Sequence, residues 1–438
     1  MPSHTDTLRV ALSRASQSAR ELAERLKVSQ PTVSRALGAL GNEVVRIRGG
    51  RAIQYALRDD ARSLDDIAVY RVSREGKLRK LGSLIPVRQD GFVMVQEDGE
   101  TLHSFGLPWW LIDMCPQGFL GRVYATRHAA NLGLPPRLSE WTDSHMLRAL
   151  LAHGHDVVGN LLLGDRAREH FLQMLRPEPV DESCYPKLAE SAQRGDVPGS
   201  SAGGEQPKFA AFVGRHVLVK FTAIEDNLVS RRWRDLLLAE HLATSTLREA
   251  GVPAPITRLH EIEDRRFLES ERFDRVGDFG RLAVHSLHAL DAEFVGEGNA
   301  AWPVVTGRLA EQGIITRQAH ERAGLLYAFG TLIGNTDMHP GNLSFISERG
   351  RPYALSPAYD MLPMGFAPLS GGRLPNELPQ AHLHAQVDAA TWRQALTLAE
   401  NFLVAIGEDA RFSADWRPCA QALSEHIAHA RMMIERLG

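Results

Sequence analysis

Three side chains in the last quarter of the chain are spaced for work on a phosphate. Asp337 and Asn342 stand five apart in Asn335-Thr-Asp-Met-His-Pro-Gly-Asn, and Asp360 follows eighteen residues later in Pro357-Ala-Tyr-Asp. An aspartate can accept a hydroxyl proton, while an asparagine and a second carboxylate beyond it can hold a divalent cation against phosphate oxygens. Upstream, His216-Val-Leu-Val-Lys220-Phe reads as a strand ending in a lysine. Glu240 follows twenty residues later in the amphipathic run Arg234-Asp-Leu-Leu-Leu-Ala-Glu-His-Leu-Ala. A strand lysine held by a helix glutamate is one way to grip the phosphates of ATP. Before the lysine comes Pro198-Gly-Ser-Ser-Ala-Gly-Gly-Glu-Gln-Pro-Lys208, whose small residues let backbone N–H groups approach an anion. It is not a Walker A loop, because no Gly-x-x-x-x-Gly-Lys-Ser/Thr occurs. The segment 267–275 stands where a strand would lead into a hinge that meets adenine.

Each piece has an ordinary reading by itself. A Gly-Ser run is commonly a turn, a polar loop after a buried helix is commonly a set of Asx turns, and a lone lysine is commonly solvated. Their order along one chain is what points to phosphoryl transfer from ATP.

Certain elements must position these residues. Tyr327–Gly334 is an apolar helix that delivers the Asp337 loop. Two amphipathic segments, around 390–405 and 415–436, complete a helical lobe behind it. From Ile67 to Phe105 the pattern is of short strands broken by turn signals such as Glu75-Gly76 and Asp98-Gly99. Trp109 and Trp110 then open a mostly helical stretch to about Leu163, and the two tryptophans read as core or domain-interface residues.

The front of the chain is different in kind. Net charge is −3 over 438 residues, yet residues 1–58 hold ten Lys/Arg against four Asp/Glu, a local +6 that leaves −9 for the rest. Leu8, Ala11, Leu12 and Ala15, then Ala19, Leu22, Ala23 and Leu26, then Val33, Ala36, Leu37 and Leu40 each mark one apolar helix face. Ser18 with Glu21 makes a capping box, and Ser29 is placed to cap the third helix. Two alternating strands around Gly49-Gly50 follow, which makes a winged helix-turn-helix. Gln30, Thr32, Ser34 and Arg35 lie off the apolar face of the third helix and can meet base edges or phosphates, and Arg48 and Arg51 on the wing can meet phosphate or minor groove. A three-helix module used only for protein contacts is the other reading of these residues. Residues 59–64 are polar and read as a linker. With 44% hydrophobic and 24% charged residues the chain is globular, and no apolar run is long enough to span a membrane. Three scattered cysteines exclude a disulfide framework and fit a cytoplasmic setting.

Taken with Ser-Ser-Ala-Gly-Gly-Glu-Gln-Pro-Lys, Glu-Arg-Phe-Asp-Arg, Asn-Thr-Asp-Met-His-Pro-Gly-Asn and Pro-Ala-Tyr-Asp, the chain resembles the HipA family of bacterial serine/threonine kinases, toxins of toxin–antitoxin systems. The front module and the run 107–122 resemble the YjjJ (HipH) subgroup. The resemblance implies Asp337 as catalytic base, Asn342 and Asp360 as magnesium ligands, and Lys220 on the ATP phosphates. It places Glu271, Arg272 and Phe273 at adenine, with His339 and Tyr359 lining the nucleotide site. The loop Ala202–Lys208, with Gly203, Gly204 and Gln206, would cover the phosphates. Autophosphorylation of a loop serine, here Ser200 or Ser201, would inactivate the enzyme. Near Glu205 the loop carries one residue more than the family pattern.

The expected fold is therefore α+β, a protein-kinase-like (HipA-like) bilobal body behind a winged helix-turn-helix. The expected divisions are 1–60, 61–163, 164–275 and 276–438. The expected activity is Mg-ATP-dependent protein serine/threonine phosphorylation. The expected partners are a protein substrate, which the resemblance implies belongs to the translation machinery, double-stranded DNA, a helix-turn-helix antitoxin and a second copy of the chain; no membrane is expected. Two other classes remain open on sequence: a transcription regulator with a kinase-like sensor body, and a metal-dependent deoxyribonuclease.

Overall fold

The computed structural model describes residues 3–48, 53–89, 91–194, 203–298 and 300–437. Helices His4–Leu12, Ala19–Leu26 and Gln30–Leu40 pack around Leu8, Leu12, Leu22, Val33 and Leu37, the apolar faces expected from the spacing. The Ser18 hydroxyl accepts the Glu21 N–H at 3.2 Å and the Glu21 carboxylate accepts the Ser18 N–H at 2.7 Å, so the capping box forms. Ser29 occupies the N-cap position but makes no side-chain cap: its hydroxyl is bonded to that of Thr32 at 2.9 Å. Strands Val44–Ile47 and Gln54–Leu57 make the hairpin, and the two-residue strand Gln17–Ser18, too short to read from sequence, pairs with its outer edge.

Residues 59–64 are not a free linker. The Asp59 N–H donates to Pro86 O at 3.1 Å, the Arg88 N–H donates to Leu57 O at 2.8 Å, and Arg62 reaches Gly91 O. Val45, Ile47 and Ala56 of the hairpin pack on Ile85, Val87 and Val93 of the following sheet. The front module is thus mounted on its neighbour by a small apolar core.

That neighbouring sheet has five antiparallel strands, in the order Thr101–Ser104, Gly91–Gln96, Leu78–Val87, Ile67–Val72, Leu161–Leu163. The stretch after Trp109 is a 3-10 turn, Trp109–Met114, then helices Gly118–His128 and Asp143–His153, and it ends in a strand rather than a helix. Trp110 packs into the core under the sheet, whereas Trp109 packs against the C-terminal core with its ring 4.8 Å from His285, so the pair straddles a seam between modules. Helix Gly164–Gln173 lies on the same sheet through Ala167 and Phe171.

The upper lobe is a four-stranded antiparallel sheet in the order Thr257–Ile262, Arg265–Glu271, His216–Phe221, Lys208–Phe212. Its apolar side holds Tyr185, Phe209, Phe221 and Phe267. The long helix Leu228–Glu249 starts at Asn227, whose side chain accepts the Ser230 N–H, and crosses to the lower lobe. There Leu236, Ala239, Ala243 and Leu247 join a core with Phe329, Phe345, Trp392 and Phe402. Each buried phenylalanine there contributes about 1.5–3 kcal/mol. Helix Arg317–Leu332 carries the Asp337 loop, and Ala389–Glu408 and Arg417–Ile434 are the late amphipathic segments. The fold is α+β, as expected.

Candidate active site

Strand pairing sets the first half of the site. Lys208 and Lys220 are partners on adjacent strands, so both side chains leave the same face of the sheet. Lys220 is buried between two carboxylates: its Nζ donates to Glu240 Oε1 at 2.5 Å and to Asp360 Oδ1. Burial alone would depress this lysine, but Asp360 and Glu240 outweigh it and hold its pKa above the usual lysine range. Burial raises Glu240, and its Oε2 has no hydrogen-bond partner. Asp360 is held low because Lys220 and Lys208 outweigh its own burial. Lys208 donates to Gly203 O, and burial, with Lys220 beside it, pushes it down to about 8.

The lower lobe supplies the second half. The helix Arg317–Leu332 ends in a loop organised by Asn335, whose Nδ2 donates to Asp360 O at 3.1 Å and whose Oδ1 accepts the Asp337 N–H at 3.0 Å. One buried amide therefore ties both carboxylate-bearing segments together. It also steadies Asp360 at φ +53°, a conformation that costs a non-glycine residue about 1 kcal/mol or more. Asn342 Nδ2 donates to Asp337 O at 2.8 Å and lies 3.4 Å from Asp337 Oδ2. The Tyr359 hydroxyl donates to Gly341 O at 2.9 Å and accepts from Ser344 Oγ at 2.7 Å, so it braces the loop.

These groups surround a cavity of about 450 Å³ between the lobes. Of the residues singled out in the sequence, Gly203, Gly204, Lys208, Lys220, Glu240, Glu271, Arg272, Phe273, His339, Asn342, Tyr359 and Asp360 line it. Asp337 stands half-exposed outside this lining, 4.0 Å from His339 Nε2, and Gln206 is not on the wall. The Arg272 guanidinium is committed to Asp274 by two bonds of 2.9 Å, so this residue offers the cavity little beyond its backbone and stem. Ser200, Ser201, Ala202 and Arg51 lie outside the described residues. On the front module Gln30, Ser34, Arg35 and Arg48 are exposed and Thr32 is half-buried; the Arg48 backbone is bonded to Thr101 of the neighbouring sheet.

The sequence reading missed one wall. Ile112, Asp113, Gln117 and Val158 reach the cavity from the module before the kinase-like lobes, and the Asp113 carboxylate accepts the Ser286 N–H at 2.6 Å. The only sequence signal was an acidic residue inside the apolar run Trp109–Met114. It also missed Asn335, although that residue sits inside the quoted motif.

Two lobes closing on a lysine–carboxylate cavity, with a helix-delivered Asp/Asn loop below, define a HipA-like chain of kinase-like fold. HipA of Shewanella oneidensis MR-1, solved with HipB and its operator DNA, superposes with a TM-score of 0.54 over 84% of this chain and 97% of that one, at 15% identity, a likeness of fold. A family model described as the YjjJ-like toxin middle domain matches residues 63–172, and one described as the HipA-like C-terminal domain matches 200–433. Toxin YjjJ of Escherichia coli (strain K12) is 39% identical over 434 residues, 96% of this chain and 97% of that protein. The chain belongs to the YjjJ-like toxins of the HipA family.

Proposed function

We propose that the chain is a Mg-ATP-dependent protein serine/threonine kinase that inhibits growth as the toxin of a toxin–antitoxin system and binds double-stranded DNA through its front module. The observation that carries this reading is the buried Lys220 held between Glu240 and Asp360 at the cavity, with Asn342 on the same wall and bonded in turn to Asp337. Lys220 and Lys208 would bind ATP phosphates, and Glu271 to Phe273 would face adenine. Asp337, outside the nucleotide cavity and half-exposed, is placed to take the proton of a protein hydroxyl.

The donor set suits magnesium. Asn342 turns its amide nitrogen to Asp337, which leaves its carbonyl oxygen, and Asp360 adds a carboxylate; both are the hard oxygen ligands that cation takes. Bound there, magnesium would neutralise phosphate charge. Ser200 or Ser201 would be the self-modified loop serine.

Gln30, Thr32, Ser34, Arg35, Arg48 and Arg51 would make the DNA contacts. The partners would be a protein substrate of the translation machinery, a helix-turn-helix antitoxin of the HipB kind and a second copy of the chain on a palindromic site. Among the described residues no helix is long and apolar enough to cross a membrane, and we place the protein in the cytoplasm.

The test is incubation with γ-labelled ATP and Mg²⁺ beside Asp337→Ala, with mass spectrometry of the peptide bearing Ser200 and Ser201. Label in wild type alone is expected. Phosphate-free wild type that binds ATP yet transfers none would overturn the kinase reading, and a plasmid-nicking assay without ATP would test a DNA-cleaving alternative. Arg35→Ala is expected to weaken operator binding in a mobility-shift assay.

A further inference from the structure

The end of the phosphate loop rests on the middle module as well as on its own lobe. The Phe119 N–H, at the start of helix Gly118–His128, donates to Gly204 O at 2.9 Å. Gly118 has φ +58°, and a Cβ there would stand 2.4 Å from Gly204 O and 2.8 Å from Gly204 N, so two backbones touch where no side chain fits. Arg122, one turn on, pairs with Glu205 at 2.5 Å. Gln117 packs its amide on Gly203 at 3.5 Å from a Cβ position and lines the same cavity. On the opposite side Lys208 Nζ bonds Gly203 O. The loop end is therefore pinched between a lysine of its own strand and the helix of another module. Glu205 is the loop residue that reaches Arg122.

We propose that Gly118, Phe119 and Arg122 are positioning residues that hold the phosphate loop on the nucleotide cavity, so that the middle module sets the affinity for ATP. The proposal rests on the kinase reading. Arg122 and Glu205 are both exposed, so their pair contributes little to global stability; its effect falls on the local placement of Gly203 and Gly204. A loop that leaves the cavity takes its N–H groups and the Gly203 anchor of Lys208 with it. The loss then appears in nucleotide binding rather than in the chemical step, as a higher KM at similar kcat.

The experiment compares the full chain with Arg122→Glu and with the reversed pair Arg122→Glu/Glu205→Arg. It reads Mg-ATP Kd by titration, and hydrogen exchange at Phe119 and 203–206 without nucleotide. Arg122→Glu is expected to raise Kd about fivefold, near 1 kcal/mol, and to speed exchange at those amides, with thermal unfolding unchanged; the reversed pair is expected to restore both. Gly118→Ala, which forces the backbones apart, is expected to raise Kd by more. Wild type that binds no ATP would sink the kinase reading, while the exchange data would still report on the latch. Kd and exchange unchanged in Arg122→Glu, or a loss that the reversed pair fails to recover, would overturn the latch.

Discussion

Two clusters of buried charge lie within one molecule and use their hydrogen-bonding capacity differently. At the cavity, Lys208 and Lys220 face Glu240 and Asp360, with Glu240 Oε2 unpartnered and Lys208 resting on a loop carbonyl. At the seam between the middle module and the lobes, Arg272, Arg275 and Arg281 surround Asp156 and Asp274. Asp274 takes two bonds from Arg272, one from Arg275 at 2.6 Å and one from the Gly159 N–H. Arg275 also holds Asp156 at 2.8 Å and Val157 O, and Arg281 holds His155 O. Among the fully buried side-chain atoms of the described residues, Arg281 Nη1 stands in this seam without a hydrogen-bond partner. Both seam aspartates are held well below the usual carboxylate range, because the arginines outweigh their burial. Carboxylates fully engaged by arginines make a joint; lysines that line an open cavity make a site.

The sharpest way to break that distinction is to neutralise one carboxylate in each cluster. Asp274→Asn strands buried arginines and is expected to cost about 3–5 kcal/mol in denaturant unfolding. Asp360→Asn leaves Lys220 paired with Glu240 and weakens one charge-assisted bond, so its unfolding free energy is expected to fall by about 1.5–3 kcal/mol, less than in Asp274→Asn. Its phosphoryl transfer is expected to fall by about 10²–10³-fold. Equal stability losses in the two variants would show that the clusters do the same job.

The cavity cluster was legible in the sequence and the seam was not, and the reason is distance along the chain. Asp337, Asn342 and Asp360 fall within one short stretch whose spacing can be read directly, and Lys220 with Glu240 follows from a strand and a helix period. Asp113 meets Ser286 across 173 positions and Gly118 meets Gly204 across 86, contacts that no local pattern encodes. Strand Leu78–Val87 went unread for a different reason. It contains Gly82 and Pro86, usual strand breakers, yet Gly82 sits where a Cβ would stand 2.0 Å from Val95 O. Its second half is buried on both faces because the front hairpin covers one of them, which erases the alternation. The Glu-Arg-Phe-Asp-Arg motif has a second part to play that its sequence does not announce: Arg272, Asp274 and Arg275 pair with one another and build the seam, while Glu271 to Asp274 line the cavity.

The seam also carries an acid-sensitive group. His285 lies against Trp109 and Tyr353, and its pKa is lowered to about 4, by burial first and then by Arg71 and Arg351. Folded, it takes its proton near pH 4; unfolded, near 6.5, so as pH falls the unfolded chain is protonated first. Its contribution is present in full above pH 6.5 and is lost towards pH 4, roughly 3–4 kcal/mol in all. His153, also lowered to about 4 by burial, acts in the same direction. The His285 share is therefore read as a difference: urea midpoints between pH 7 and 4.5 are expected to fall less steeply in His285→Gln than in wild type. Parallel curves would remove His285 from the seam's acid response.

The cavity should fail at the other end of the pH scale, by losing affinity rather than stability. Lys208 is pushed down to about 8 by burial with Lys220 beside it, against the weaker pull of Asp360 and Glu240, while Lys220 keeps its proton throughout. Below pH 8 both lysines are cationic; above it only Lys220 is. Affinity for ATP is expected to be flat from pH 6.5 to about 8 and then to weaken by at most about tenfold per pH unit. The ceiling is set by one charge-assisted hydrogen bond of ~1.5–3 kcal/mol. Lys208→Gln is expected to bind more weakly at every pH and to show no slope between pH 7 and 9. A wild-type affinity constant across that range, with Lys208→Gln weakened, would mean that Lys208 is held charged as firmly as Lys220.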